Sequence, residues 1–281
     1  MFSKSGISDK SAETDDCLSP TAFPAMLKKL RLSGLGESLE VRLHEAASSG
    51  LNNREFLERI LQDELLVRNS RTMNRRVTAA GFRDKKRLED FDFTFNSSLK
   101  KNRVYDLATC QFIRERRDVL WLGPPGTGKS HLSQAIGMSA IRCGFTVYYR
   151  SIFDCVRDFL HDEAMEGQER ILTRYLKPDL LIIDDMGMKQ LPKRSGEYLF
   201  EIVMRRHELR STMMTSNRPL EDWGKLIGDI PSATAILERF LNRAEMIQIT
   251  GRSYRLDRSA GNREKSSNSS KVPTGSLADQ N

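Results

Sequence analysis

Gly123-Pro-Pro-Gly-Thr-Gly-Lys-Ser130 satisfies the pattern G-x-x-x-x-G-K-[ST] in full. Its glycines leave successive backbone N–H groups free to turn toward an anion, its lysine adds a positive charge, and its serine offers a hydroxyl to a divalent cation. The chemistry served by that combination is the holding of a nucleoside triphosphate with Mg²⁺. Gly123, Pro124, Pro125, Gly126, Thr127, Gly128, Lys129, Ser130 and His131 are therefore the nucleotide-binding candidates, with Lys129 reaching the β- and γ-phosphates. The apolar run Asp118–Leu122 before the loop and the helix-forming run from His131 supply the strand and helix that the motif requires.

Two further constellations belong beside that loop. Leu180-Leu-Ile-Ile-Asp184-Asp185 is an apolar run ending in two carboxylates, and a buried parallel strand would deliver both to the same sheet edge as the loop. Asp184 is then placed to hold Mg²⁺ with Ser130, and Asp185 to orient or deprotonate an attacking water. Met213-Met-Thr-Ser-Asn217-Arg218 ends another apolar run with an amide, so Asn217 can hydrogen-bond that water or the γ-phosphate. In isolation an Asp-Asp pair or Thr-Ser-Asn-Arg-Pro would each be read as a turn; after a phosphate loop the functional reading prevails.

These groups need a frame. From Leu99 onward the pattern alternates: helix Leu99–Ile113, strand Val119–Leu122, helix to Arg142, strand Thr146–Tyr149, helices after Ser151 to Leu176, strand Leu180–Ile183, helix Ser195–Leu209, strand Thr212–Thr215, a last helix around Ala235, Ile236 and Phe240, and strand Met246–Ile249. Such alternation predicts an α/β fold with a parallel sheet and helices on both faces. Upstream, leucine spacing predicts a small helical domain punctuated by Gly34, Gly36 and Gly50, with Asn52 or Asn53 capping a longer helix. The expected divisions are a disordered tail 1–22, the helical domain and linker 23–97, the nucleotide domain 98–258 and a second disordered tail 259–281.

The chain has 281 residues, 38% of them apolar, a formal charge of +7 and a pI of about 9.3, a modest basic excess that suits a polyanionic partner. The excess concentrates between Arg68 and Arg87, where eight basic residues face one acid. Arg68, Arg71 and Arg75 share a helical face, and with Arg76 they are candidates for contacts to a nucleic-acid backbone without base readout. The alternative is a solvated face paired with Glu55, Glu58, Asp63 and Glu64 from earlier turns. Phe91, Phe93 and Phe95 alternate in a segment expected to be extended and to pack on the core. Cys17, Cys110, Cys143 and Cys155 lack metal-ligand spacing and read as reduced thiols in a cytoplasm, and no run suggests a signal peptide or membrane span.

Taken together, these motifs resemble the AAA+ ATPases, and within them the DnaC/IstB group. The resemblance extends over Leu27-Lys-Lys-Leu-Arg-Leu32, Leu88-Glu-Asp-Phe-Asp-Phe93, the loop with His131 and Leu132, Leu-Ile-Ile-Asp-Asp185, Thr-Ser-Asn-Arg-Pro219 with Asp222-Trp223, Ala235-Ile-Leu-Glu-Arg-Phe240 and Gly251-Arg-Ser-Tyr-Arg255. It is nearest to IstB-type helpers of insertion-sequence transposases. It implies ATP as the nucleotide, a homo-oligomer formed with ATP on double-stranded DNA, a cognate transposase as partner, and Arg239 as an arginine finger reaching a neighbour's γ-phosphate. Lys129, Asp185, Asn217 and Arg239 form the implied catalytic set of a slow ATPase stimulated by oligomerisation or DNA. The alternative implied function is loading of a replicative helicase. Two departures stand out: Asp185 replaces the Glu of many AAA+ members, and too few apolar residues follow Ile249 for a C-terminal helical lid, with Arg255 left as a substitute nucleotide contact.

Overall fold

The computed structural model describes residues 22–163, 168–187, 190–192, 195–254 and 257. Both expected disordered tails, apart from Ala22, and Arg255 lie outside the described residues. The chain divides into two compact units, 1–75 and 76–281.

In the first unit α1 (Ala22–Lys29) and α2 (Ser33–Ser49) precede the long α3 (Asn53–Ala80), whose last residues belong to the second unit. Asn52 is the cap of α3: its side chain accepts from the Glu55 amide at 2.9 Å, and Glu55 accepts from the Asn52 amide at 3.1 Å, a reciprocal pair that satisfies two otherwise orphaned donors. Gly34 and Gly36 lie inside α2 instead of interrupting it. At Gly34 a Cβ would fall 2.8 Å from the Val67 side chain, so the glycine serves close helix packing. Glu64, almost fully buried, accepts from the Leu35 amide at 2.9 Å and from Arg68 at 2.6 Å, and Arg42 grips Asp63 through two 2.8 Å bonds.

The second unit is built on five parallel strands: β1 (Asp118–Leu122), β2 (Val147–Ser151), β3 (Leu180–Met186), β4 (Ser211–Ser216) and β5 (Ala244–Gln248), in spatial order β2-β3-β4-β1-β5. Period-two alternation sorts their side chains onto two faces. Val119, Trp121, Leu180, Ile182 and Met213 pack beneath α4 (Lys101–Ala108), α5 (Gln111–Arg114) and α6 (Lys129–Arg142). Leu120, Leu181, Ile183 and Met214 pack against α7 (Ile152–Glu163), α8 (Gln168–Leu176), α9 (Ser195–Arg206), α10 (Trp223–Ile227) and α11 (Ile230–Asn242). Each such fully buried aliphatic side chain contributes about 2 kcal/mol of transfer free energy.

The expected single helix over residues 99–113 is broken at Cys110, whose backbone takes the left-handed conformation between α4 and α5. Phe91, Phe93 and Phe95 do point inward, but from a run of turns instead of an extended strand; Phe91 and Phe93 pack on the core and Phe95 meets Tyr254 edge-on. Cys110 and Cys155 are buried, Cys143 is exposed, and all three are free. No helix among the described residues is long and apolar enough to cross a membrane.

Candidate nucleotide site

The loop leaves β1 at the carboxyl edge of the sheet and feeds α6. Gly128, at φ +97°, caps that helix, and a Cβ there would lie 2.5 Å from the Phe91 ring, so only glycine fits both the turn and its cover. At Gly123 a Cβ would fall on the Ile249 carbonyl oxygen of the neighbouring chain segment. Thr127 bonds back to the Pro124 carbonyl at 2.9 Å, while Lys129 donates to the carbonyls of Gly123 at 2.7 Å and Pro124 at 2.8 Å. The ammonium is thus held at the loop with 4% of the residue exposed. His131 donates from Nε2 to the Arg87 carbonyl at 2.8 Å, and its ring meets Phe91 edge-on.

β3 brings the two carboxylates to the same edge, and a register break re-aims the second. Ile183 pairs with Met214 while Met186 pairs with Ser216, so β3 carries one extra residue across this interval. Asp185 takes up the irregularity at φ +65°. Its amide donates to Asp184 at 3.0 Å and to the Thr215 hydroxyl at 3.1 Å.

Asp184 is completely buried yet surrounded by neutral donors. Ser130 Oγ donates to its Oδ1 at 3.0 Å, the Thr215 hydroxyl donates to the same oxygen, and Tyr149 donates to Oδ2 at 2.5 Å. Burial, and after it the charge of Asp184, push the Tyr149 phenol above its ordinary range, so it remains a proton donor. Serine hydroxyl and carboxylate oxygen are the hard donors that Mg²⁺ prefers. Among the described residues no group of three or more His, Cys, Asp or Glu side chains could hold a metal, so a cation here would draw its other ligands from phosphates and water.

Asn217 follows β4 directly. Its amide donates to the Met186 carbonyl at 2.9 Å, while the Ser216 carbonyl accepts from Gly123 at 3.2 Å, so Asn217 sits where the loop and the end of β3 converge. Arg239, by contrast, is exposed on α11 and forms no ion pair among the described residues. Arg243, a second arginine near it, lies at the start of β5, on the opposite sheet edge, within 3.8 Å of Glu208. Of the four basic-stripe candidates, Arg68 is engaged by Glu64, and Arg71 by Glu37 at 3.1 Å and by the Ser33 hydroxyl. Arg75 is exposed and Arg76 half-buried.

Tyr149, Thr215, Gln134 and Asn96 also support the site, and the sequence reading missed them. Gln134 donates to the Ser130 carbonyl at 3.1 Å, and buried Asn96 donates to that of Thr127 at 3.4 Å. Thr215 had one available signal, its position two residues before Asn217; the others are common residue types whose role appears only when the strands are assembled.

Residues 25–262 match the family model described as IstB-like ATP binding protein. The chain is 34% identical over 228 residues to a protein named for ATP binding in insertion sequence IS5376 of Geobacillus stearothermophilus, covering 81% of this chain and 91% of that protein. A counterpart named for insertion sequence IS21 of Pseudomonas aeruginosa is 35% identical over 82% of this chain and 87% of its own length. Among solved structures, AMPPCP-bound DnaA from Aquifex aeolicus superposes with a TM-score of 0.52 at 21% identity, over 66% of this chain and 56% of that one, a likeness of fold.

Proposed function

The chain belongs to the IstB-like ATP-binding protein family, and from that premise we propose that it is an ATP-dependent helper of a DNA transposase. It binds ATP with Mg²⁺ at residues 123–130, assembles on duplex DNA while the triphosphate is intact, presents that assembly to the transposase, and hydrolyses ATP to end it. Hydrolysis thereby sets how long a target stays marked. The work takes place in the cytoplasm, where the cysteines remain reduced.

Position supports each proposed role. The loop amides and Lys129 meet the phosphates, and Ser130 and Asp184 hold Mg²⁺, which when bound offsets charge on the transferring phosphoryl group. Asp185 takes up the proton of the attacking water and Asn217 orients it. Exposed Arg239 completes the site of a neighbouring subunit, so an isolated subunit turns over slowly. Asp185 is one methylene shorter than Glu, which slows it further. The basic excess, with Arg75 and Arg76 beside the engaged Arg68 and Arg71, supplies contacts to the DNA backbone.

The observation that carries this reading is the 3.0 Å meeting of Ser130 and Asp184, a cation-suited pair beside an anion-suited loop. Titrating ATP with and without Mg²⁺ tests it. Lys129→Ala should lose ATP binding, and Asp184→Asn should lose the Mg²⁺-dependent part of the affinity; an Asp184→Asn protein with unchanged Mg²⁺ dependence would refute it.

A further inference from the structure

We propose that Arg83 is a positioning residue that restrains Asp185, and that duplex DNA speeds ATP turnover by drawing the Arg83 guanidinium off that carboxylate. The inference rests on the reading of Asp185 as the group that handles the attacking water. Arg83 Nη1 donates to Asp185 Oδ2 at 3.0 Å, and Arg83 Nη2 stands 3.9 Å from Asp154. It is one of the groups that hold Asp185.

The backbone around Arg83 is fixed on both sides. Gly81, at φ +69°, turns the chain out of α3, and Phe82 wedges against Tyr149, with ring centroids 6.0 Å apart, and against Gly137, where a Cβ would lie 2.8 Å from its ring. On the other side the Asp84 amide donates to Gln134 at 3.1 Å, and Gln134 in turn donates to the Ser130 carbonyl. Arg83 is therefore tethered to the residues that hold the candidate metal site, yet its side chain is 51% exposed. Its guanidinium can exchange partners without any shift of the main chain.

A carboxylate oxygen that accepts from a guanidinium has that lone pair committed and is turned away from the water it would otherwise meet, so the 3.0 Å contact holds Asp185 out of position for the reaction. The competing partner is a phosphodiester, which a guanidinium can grip through two parallel hydrogen bonds just as it does a carboxylate. Lys85 and Arg87, both exposed and within four residues of Arg83, complete a local basic edge for the same backbone, whereas Lys86 is paired with Asp84 at 3.4 Å. DNA bound along this edge would compete with Asp185 for Arg83 and so link the occupancy of the basic segment to the chemistry of the loop.

Steady-state ATP turnover of the full chain with Mg²⁺, with and without duplex DNA, tests the proposal on Arg83→Ala, Arg83→Lys and Asp185→Asn. Without DNA, Arg83→Ala should raise kcat roughly 3- to 10-fold at unchanged KM, the gain expected from freeing a carboxylate oxygen to meet the water, and DNA should add nothing more. Arg83→Lys, which keeps the ion pair, should keep the low turnover of the natural protein without DNA. Should alanine cost stability, Arg83→Met keeps an unbranched apolar stem with no donor and gives the same readout. A lower or unchanged kcat in Arg83→Ala, or DNA stimulation that survives it, overturns the proposal. If Asp185→Asn retains turnover, the assignment of Asp185 itself is wrong; if Asp185→Asn is inactive and Arg83→Ala no faster, only the restraint fails.

Discussion

Two buried aspartates lie at opposite edges of the same sheet, and they are buried for different ends. Asp184, at the carboxyl edge of β3, is held by the hydroxyls of Ser130, Thr215 and Tyr149 and by one amide. Asp118, at the amino edge of β1, accepts from the Thr212 amide at 2.6 Å and lies in the field of Arg206. Arg206 is 1% exposed and donates to the carbonyls of Tyr175 at 2.9 Å, Leu176 at 3.2 Å, Pro178 at 2.9 Å and Ser211 at 2.5 Å. The difference is one of exchangeability. Hydroxyls can rotate to let a cation take their place, whereas a guanidinium locked to four carbonyls already is the cation. The first edge is built to receive something and the second to stay shut.

If that contrast holds, changes at the carboxyl edge should alter turnover with little effect on stability, and changes at the amino edge the reverse. The largest effect is expected for Arg239→Ala, whose proposed reach is to the carboxyl edge of a neighbouring subunit: loss of turnover by about 10³-fold or more in the assembled protein, with an unchanged melting temperature because the side chain is exposed. Mixing it with an Asp185→Asn protein should restore activity if the finger acts across subunits, which a turnover assay of the mixture reads directly. Next comes Arg206→Ala, which leaves several buried carbonyls without their donor and Asp118 without the nearby positive charge, and should cost about 3–5 kcal/mol in denaturant unfolding. Asp184→Asn should cut turnover by roughly 100-fold while its unfolding free energy stays within about 1 kcal/mol, because an amide oxygen still accepts from the surrounding hydroxyls.

The smallest effect is a pH dependence. Burial pushes Asp118 up to about 7, against the pull of the Thr212 amide and Arg206. A folded-state pKa above the unfolded one means that the folded protein binds the extra proton, so this group favours folding most at acid pH and the benefit is lost as pH rises from about 4 through 7. Asp118→Asn should therefore gain stability relative to the natural protein by about 2 kcal/mol between pH 5 and 8. Parallel unfolding curves at both pH values would remove Asp118 from the account.

Much of the carboxyl edge was legible from residue order alone. The loop, the two aspartates at the end of an apolar run and the five alternating strands are local patterns, and the parallel sheet of the second unit follows from them. What escaped was contributed by register. Tyr149 and Thr215 reach Asp184 because β2 and β4 flank β3, a relation between segments more than thirty residues apart. Gly34 and Gly36 read as breaks because glycine weakens an isolated helix, but close packing at Gly34 outweighs that cost. Pairing of Arg68 with Glu64 on its own helix is among the alternatives the sequence offers, but the partner of Arg71 is not, because Glu37 lies on a different helix. Asp118 and Arg206 gave no signal at all, since 88 positions separate them.

The most direct test of the account is the mass of the protein on a duplex oligonucleotide, by sedimentation, with ATP·Mg²⁺ and with ADP·Mg²⁺. Large multi-subunit complexes on duplex with ATP alone are predicted, because in the proposed mechanism only the triphosphate would join the loop of one subunit to Arg239 of the next. Equal assembly with ADP, or assembly confined to single strands, would contradict it.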